Sequence, residues 1–284
     1  MIDFHTHPVM IKELIDSDPE LDRNIHSKFG FHFPPQPLEC FTLEMDEAGI
    51  DQAVLLPIDV TTAHGCKIVS NEQIADLVER EPRFIGFASV DPNLPEAPAQ
   101  LERAIRQLGL RGLKLDPSFQ CFYPNDQERA YPVYQTCAEL GIPVLMHAGL
   151  SWVPSGLAKF SQPLNLEEAV QAFPTVNFIL AHFAWPWVNE AVMLAVKYPN
   201  VYLDTAILYS GTPKNTFQKI LAEQVGLDVL ERSLFNKIVF GSNYPRVDIR
   251  RTVRGISALE ISKSLAKAIF DGNARRLLNM EAVV

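Results

Sequence analysis

The sequence lacks the features that mark membrane-spanning, disulfide-rich and nucleic-acid-binding proteins. No apolar run approaches the roughly 18 residues that cross a bilayer, and no basic stretch followed by an apolar one opens the chain. Only four cysteines occur among 284 residues, with no CxxC spacing, so we expect reduced thiols rather than a zinc cluster. The formal net charge of −9 disfavours a nucleic-acid partner. These absences predict a cytoplasmic protein that binds neither nucleic acid nor a membrane.

A glycine-rich phosphate-binding turn is also missing, which disfavours an open, doubly wound sheet. Short apolar runs alternate instead with amphipathic, helix-like stretches along the whole chain. Eight strands are predicted, at residues 2–5, 53–57, 84–90, 112–115, 144–147, 178–182, 201–204 and 238–241. Because eight parallel strands with helical spacers close a barrel, the pattern predicts an α/β protein with a single (β/α)8 TIM-barrel domain over residues 1–284.

One long stretch after the first strand, residues 8–37, shows no regular pattern and ends in a proline-rich cluster. Loops of this length are uncommon unless they serve a function. Barrel active sites lie at the carboxyl ends of the strands, where this loop emerges. We therefore expect an irregular loop that covers an active site.

Four histidines stand at the ends of predicted strands. His5 and His7 are two residues apart in the first strand, so their side chains point to the same face. His147 and His182 end two later apolar runs. Because the carboxyl ends of parallel strands converge, the pattern predicts a site for one divalent metal ion, with zinc preferred over manganese or iron.

The chain resembles the amidohydrolase superfamily, in the amidohydrolase-related (amidohydrolase 2) branch that includes aminocarboxymuconate-semialdehyde decarboxylase. The resemblance covers nearly the whole length. It is carried by Asp3-Phe4-His5-Thr6-His7, Gly112-Leu113-Lys114-Leu115, Val144-Leu145-Met146-His147, Leu180-Ala181-His182, Tyr202-Leu203-Asp204, Phe240-Gly241-Ser242-Asn243-Tyr244-Pro245 and the segment 272–278.

The resemblance implies roles for five of these residues. His5, His7 and His147 would be metal ligands, and His182 would polarise the substrate or orient the attacking water. The eighth-strand motif departs from the family pattern, because Asn243 stands where the family has an aspartate that binds metal and accepts a proton. An amide oxygen ligates weakly and accepts no proton at pH 7.

Three interpretations of Asn243 follow. It is an engineered Asp-to-Asn replacement that traps a ligand, or a natural amide that leaves His182 as the remaining acid and base. In the third interpretation the protein has lost catalysis and only binds a small molecule. In the first two, Asn243 belongs to the catalytic and metal-binding set.

Five further residues are candidates for substrate binding. Lys114 and Arg246 offer cations for a substrate carboxylate, and the guanidinium of Arg246 provides a bidentate fork. Asp204 is a candidate anchor for one of these cations or for a substrate hydroxyl. Trp152 and Trp185 follow the fifth and sixth strands and would line an aromatic pocket.

The sequence thus predicts a metal-dependent enzyme that acts on a small carboxylate. Its first predicted reaction is hydrolysis of a lactone, amide or ester by metal-activated water. The alternative is non-oxidative decarboxylation of an aromatic or conjugated acid, as a carboxy-lyase. The resemblance also implies a homodimer.

Overall fold

The computed structural model describes residues 1–206 and 211–280, and these form ten strands. The strands are β1 (Ile2–Thr6), β2 (Gln52–Leu55), β3 (Ile58–Val60), β4 (Cys66–Ile68), β5 (Phe84–Gly86), β6 (Leu113–Leu115), β7 (Val144–Met146), β8 (Phe178–Leu180), β9 (Val201–Asp204) and β10 (Ile238–Val239). Strands β3 and β4 pair antiparallel as a small hairpin that the sequence pattern does not predict. The other eight correspond one by one to the predicted strands.

Helices separate and follow these strands. They are α1 (Lys12–Ser17), α2 (Pro19–Ser27), α3 (Leu38–Ala48), α4 (Thr61–His64), α5 (Asn71–Arg80), α6 (Ala97–Arg106), α7 (Pro117–Gln120), α8 (Ala130–Leu140), α9 (Glu167–Ala172), α10 (Val188–Lys197), α11 (Pro213–Phe217), α12 (Leu227–Arg232), α13 (Ile249–Ser257), α14 (Lys263–Lys267) and α15 (Asn273–Leu277). Short 3₁₀ helices cover Ala158–Phe160, Pro163–Leu166 and Ala181–Ala184, and π-helical turns cover Gln218–Gly226 and Ala268–Gly272. None of the described helices is both long and apolar enough to cross a membrane. All four cysteines are free thiols, as predicted.

The eight long-range strands form two parallel sheets whose edges meet. One sheet has the order β1-β2-β5 and the other β10-β9-β8-β7-β6. An isolated parallel bridge between Ala88 and Leu113 joins the sheets on one side. On the other side the Phe4 amide donates to the Phe240 carbonyl at 2.8 Å. The predicted TIM-barrel fold is therefore confirmed, although the strand ladder is not continuous around the ring.

Side-chain alternation along the strands separates two hydrophobic clusters. In β6, Leu113 and Leu115 belong to the larger cluster, which also contains helix residues such as Leu101 of α6. In β7, Leu145 belongs to the smaller cluster on the opposite face of the sheet. Because Lys114 is the register partner of Leu145, its side chain points to that second face, away from the helices.

The predicted irregular loop over residues 8–37 is wrong in part, because α1 and α2 lie within it. Asp18 caps α2 by accepting from the backbone amides of Glu20 and Leu21, and Pro19 occupies the first helical turn. Leu21 and Ile25, four residues apart, bury one face of this helix. The segment is an ordered two-helix excursion that returns to the barrel at residues 29–37.

Candidate active site

The four predicted histidines lie at the carboxyl ends of their strands and are all buried. His5 lies within β1 and His7 follows it, while His147 follows β7 directly. His182 lies two residues after the end of β8, in a 3₁₀ turn. Their ring centroids form a chain: His7 is 5.2 Å from His5, His5 is 4.9 Å from His182, and His182 is 4.9 Å from His147.

The hydrogen bonds of His5 and His7 fix their tautomers. His5 Nδ1 lies 2.6 Å from Asp204 Oδ2, and His7 Nδ1 lies 3.0 Å from the Leu56 carbonyl oxygen. Since both partners accept, each Nδ1 donates and each Nε2 carries a lone pair. These two Nε2 atoms are only 3.2 Å apart. Two nitrogens bound to one tetrahedral zinc ion lie about 3.3–3.4 Å apart, so the pair fits a shared cation.

Hydrogen bonds also fix the tautomers of His147 and His182. His182 Nδ1 lies 2.5 Å from the Ala206 carbonyl oxygen and therefore donates to it. His182 Nε2 then accepts from His147 Nδ1 at 3.1 Å. As a result His147 Nε2 also carries a lone pair, and this buried atom has no hydrogen-bond partner among the described residues. An unpartnered buried acceptor is costly unless something binds it, which again fits a metal ion.

Burial keeps the histidines neutral, as metal binding requires. It holds the pKa of His5, His7 and His182 well below the ordinary value, and the pKa of His147 is lowered for the same reason. Neighbouring cationic groups, Lys114 among them, act in the same direction.

A second group of three potential ligands is more compact than the predicted set. One ligand atom each from His5, His182 and Asp204 lie within 4.8 Å of one another. However, both Asp204 oxygens are already engaged. Oδ2 pairs with His5, while Oδ1 accepts from the backbone amides of His182 and Ala206 at 2.6 and 3.0 Å. Asp204 thus orients His5 and His182 from behind, as carboxylates do for metal-binding histidines.

Two of the site residues adopt left-handed backbone conformations. His182 has φ of 62° and Asn243 has φ of 62°. Asparagine tolerates this region better than most residues do, whereas a histidine there is uncommon. The Asn243 backbone amide donates to the His5 backbone carbonyl at 2.9 Å, which connects the loop after β10 to β1. Such backbone strain is typical of sites that hold side chains in fixed positions.

Three of the four histidines line a small cavity of about 30 Å³, which is room for about two water molecules. Its walls bring together most of the predicted site. They include His7, His147, His182, Lys114, Asn243, Arg246 and Trp152. His5, Asp204 and Trp185 are not part of its lining. Trp185 packs against the large hydrophobic cluster instead.

Two cations without carboxylate partners line this cavity. Neither Lys114 nor Arg246 lies within 4 Å of an acidic oxygen of the described chain. Lys114 is 1% exposed, and burial lowers its pKa to about 8 although Asp116 and Asp204 raise it. Burial also lowers the pKa of Arg246 to about 10. A buried cation that lacks an internal partner favours an anionic ligand.

Three residues of the site escaped the sequence analysis. Asp116 caps α7, lines the cavity, and its Oδ2 lies 4.0 Å from His147 Nδ1. Phe29 lies under the Arg246 guanidinium at 4.5 Å and accepts a hydrogen bond from Arg246 Nη2 at 2.8 Å through its carbonyl. Asp3 accepts from the amides of His5 and Ser242, and burial raises its pKa to about 7. In the sequence, only the i, i+2 spacing of Asp3 and His5 pointed to one of these three residues.

Two curated relatives match the chain. One is 2-keto-4-carboxy-3-hexenedioate hydratase from Sphingobium sp., which is 29% identical in an alignment of 264 residues that covers 80% of this chain and 73% of that protein. Protein fluG from Emericella nidulans is 33% identical over 94 residues, which cover 33% of this chain and 11% of that protein. The chain therefore spans only a small part of fluG.

Solved structures share the fold. An uncharacterised TIM-barrel protein from Bordetella bronchiseptica is 26% identical, with 98% of both chains covered and a TM-score of 0.77. A 5-carboxyvanillate decarboxylase from Novosphingobium aromaticivorans, solved with bound manganese, is 19% identical, with 98% and 97% covered and a TM-score of 0.65.

A family model matches almost the entire sequence. The Amidohydro_2 (amidohydrolase) model covers residues 2–280, which include every histidine of the cavity and the asparagine after β10. Members of this family bind a divalent metal ion, and the family includes hydrolases and carboxy-lyases. With its barrel, its buried histidine cluster and this match, the chain belongs to the amidohydrolase family.

Proposed function

We propose that this protein is a metal-dependent enzyme that adds water to, or hydrolyses, a small substrate bearing a carboxylate. The observation that carries the proposal is the convergence of unpaired cations and histidine lone pairs on one cavity. The predicted substrates are a lactone, an amide or an ester. The similarity to a hydratase supports a reaction that consumes water, because a hydratase adds water to its substrate.

The ligand set we propose is His5, His7 and His147, each through Nε2, with the side-chain amide oxygen of Asn243 as an additional weak ligand. The tautomers derived from Asp204, Leu56 and the His147–His182 hydrogen bond support this choice. Zinc is the proposed ion, since imidazole nitrogens suit it, with manganese or iron as alternatives. When bound, a divalent ion lowers the pKa of water from about 15.7 towards 7 and polarises a carbonyl.

The remaining steps belong to the side chains of this chain. Lys114 and Arg246 would hold the substrate carboxylate, and Trp152 would close the cavity towards solvent. His182 Nδ1 is held by the Ala206 carbonyl, so a proton would be taken up or returned at Nε2, in place of the hydrogen bond that Nε2 accepts from His147. The side-chain amide of Asn243 cannot take up that proton, so of Asn243 and His182 only His182 would act as a base.

Decarboxylation is the second candidate function, and Asn243 favours it. Loss of carbon dioxide needs no base to activate water, and it needs a donor that returns a proton to carbon. His182 Nε2 would first take up a proton from solvent and then serve as that donor. A catalytically inactive ligand binder and an Asp-to-Asn trapping variant are the remaining interpretations of the same residue.

An isotope experiment separates these functions. The zinc-loaded protein is incubated in H₂¹⁸O with panels of carboxylate-bearing lactones, amides, esters, unsaturated acids and hydroxybenzoates. Incorporation of ¹⁸O into product supports the proposal, whereas carbon dioxide release without ¹⁸O in the organic product supports decarboxylation. No turnover, together with less than about 0.1 metal equivalent after loading, would remove the metal-dependent mechanism.

The variant Asn243→Asp sharpens this test. Restoring a carboxylate supplies a general base, so the rate of the water-consuming reaction should rise by about 10²–10⁴-fold. Asn189→Asp makes the same change on the exposed surface of α10 and serves as the control. If Asn243→Asp leaves every activity unchanged, this position does not govern proton transfer.

The proposal includes three broader expectations. Residues 1–284 act as one domain, the protein works in the cytoplasm, and two copies associate as a homodimer. Size-exclusion chromatography with light scattering tests the last of these, since a monomer at micromolar concentration would contradict it.

A further inference from the structure

A second and larger cavity adjoins the histidine site. Its volume is about 510 Å³, against about 30 Å³ for the inner cavity. Both cavities share Trp152 and Arg246 in their walls. Small-molecule sites commonly enclose about 300–1,000 Å³, so most of a substrate that reaches the histidines has to occupy this outer pocket.

Three large aromatic side chains line the outer pocket. Phe33 is 60% exposed and Trp152 is 55% exposed, while Phe31 lies buried beside them. Phe31 and Phe33 contact each other with ring centroids 5.1 Å apart. Large aromatic rings that remain this exposed on one concave surface mark a binding site for a planar, apolar group.

The polar part of the same wall carries an excess of positive charge. Arg246 and Arg251 both line the pocket, and neither has an acidic oxygen within 4 Å in the described part of the chain. Among the described lining residues Asp248 is the one carboxylate, and it is engaged elsewhere. It caps α13 by accepting from the Arg251 backbone amide at 2.9 Å, and its Oδ2 lies 3.6 Å from Arg250. The Arg251 guanidinium is therefore available to an anion.

We propose that the outer pocket is a second anion subsite, in which Arg251 binds a distal carboxylate and Phe33 and Trp152 hold a planar, conjugated spacer. The substrate is then an elongated dicarboxylate whose other end reaches the inner cavity. This inference rests on the proposed function for the inner carboxylate, which Lys114 and Arg246 would bind. Beyond that function, the subsite specifies a substrate that is elongated, planar and charged at both ends.

Matched pairs of probe ligands test the subsite. Benzoate is compared with terephthalate, and biphenyl-4-carboxylate with biphenyl-4,4′-dicarboxylate, by titration calorimetry on the zinc-loaded protein. Within each pair only the second carboxylate differs. In the pair whose length matches the pocket, the dicarboxylate should bind about tenfold more tightly than the monocarboxylate. This factor is at the lower end of what a hydrogen bond to a charged group contributes.

Arg251→Ala should abolish this ratio while leaving the affinity for the monocarboxylates unchanged. Arg254→Ala is the matched control, because it removes the same charge from the same helix at an exposed residue outside the pocket lining. The control should keep the tenfold ratio. Equal affinities within both pairs, a ratio that survives Arg251→Ala, or no dicarboxylate binding at millimolar concentration would overturn the subsite.

A further pair of ligands tests the planar spacer. Terephthalate should bind more tightly than trans-1,4-cyclohexanedicarboxylate, and Phe33→Ala should remove that difference. Equal binding of the two in the unaltered protein would overturn the aromatic part of the proposal.

The same titrations distinguish failure of the subsite from failure of the proposed function. Lys114→Met should weaken monocarboxylate binding, because it removes the inner cation. If Lys114→Met changes nothing while the ratio still depends on Arg251, the inner site is wrong and the subsite stands. If the monocarboxylates depend on Lys114 and the second carboxylate adds nothing, only the subsite fails.

Discussion

Hydrogen bonds to Nδ1 decide which nitrogen of each buried histidine carries the lone pair. His5 donates to Asp204, His7 to the Leu56 carbonyl and His182 to the Ala206 carbonyl. These partners come from distant parts of the chain. The sequence identified the histidines through their positions after strands, but it could not identify the groups that orient them.

Asp204 shows this limit at a single residue. Its position at the end of β9 suggested contact with a substrate or a cation. In the folded protein its carboxylate lies behind His5 and His182, because the side chain points into the buried ring of strands. Which of several polar groups a strand-end aspartate meets depends on the register of neighbouring strands.

Asp204→Asn should therefore weaken metal binding without removing a ligand. An amide is a poorer acceptor for the His5 Nδ1 proton, and loss of such a partner typically lowers metal affinity by about 10–100-fold. Zinc affinity is measured by chelator competition. Asp91→Asn, which alters another fully buried carboxylate that accepts from Thr62, is the control and should bind zinc normally. Equal affinities in the two variants would contradict the orienting role.

Lys114 predicts a pH dependence for carboxylate binding. Its pKa of about 8 lies below the ordinary value, so the cation is present below pH 8 and is lost as the pH rises through it. The affinity for benzoate should be constant from pH 6 to 7.5 and fall about tenfold per unit well above pH 8. Calorimetry across this range, with Lys114→Met as the variant that should lack the fall, checks it. A flat profile for the unaltered protein up to pH 9.5 would contradict the role of Lys114.

At the scale of elements, the loops after β7 and β8 hold the site together. The Leu150 amide donates to the Trp185 carbonyl at 2.7 Å, and the Gly149 amide donates to the Ser161 carbonyl at 2.8 Å. Gly149 has φ of 89°, and a Cβ there would overlap the Trp185 carbonyl oxygen. Glycine thus permits the close approach of the segments that carry His147 and His182.

Gly149→Ala should lower the free energy of unfolding by about 3 kcal/mol or more. A left-handed alanine costs about 1–2 kcal/mol, and forced overlap in a packed region adds about 1–3 kcal/mol. Gly109→Ala is the control, since φ is 71° and nothing lies within 4 Å of its added Cβ. Gly109→Ala should lower the free energy of unfolding only by the cost of the left-handed backbone conformation. Urea unfolding of both variants measures the difference, and equal losses would show that the loop contact is not tight.

The excursion after β1 shows which elements a sequence reveals only partly. The Asp18-Pro19 start of α2, with Leu21 and Ile25 on one face, was a readable helix signal inside a region that otherwise looked irregular. The β3–β4 hairpin gave a weaker signal, because each strand has only three residues. Short elements of this kind are stabilised mainly by their packing on the barrel.

At the scale of the molecule, the order of strands was predictable and the closure of the ring was not. Eight apolar runs with helical spacers predicted every parallel strand. Closure depends on a few contacts such as those of Phe4 with Phe240 and Ala88 with Leu113. Contacts between residues so far apart in sequence leave no periodic pattern to read.

In the proposed metal site, three imidazole nitrogens hold one divalent ion, two of them from the end of β1 and one from the residue after β7. Anomalous diffraction from crystals soaked in zinc, collected on both sides of the zinc absorption edge, tests it most directly. We expect one peak at about 2.0–2.1 Å from the Nε2 atoms of His5, His7 and His147. A peak on the His5, His182 and Asp204 group, or no peak at all, would contradict it.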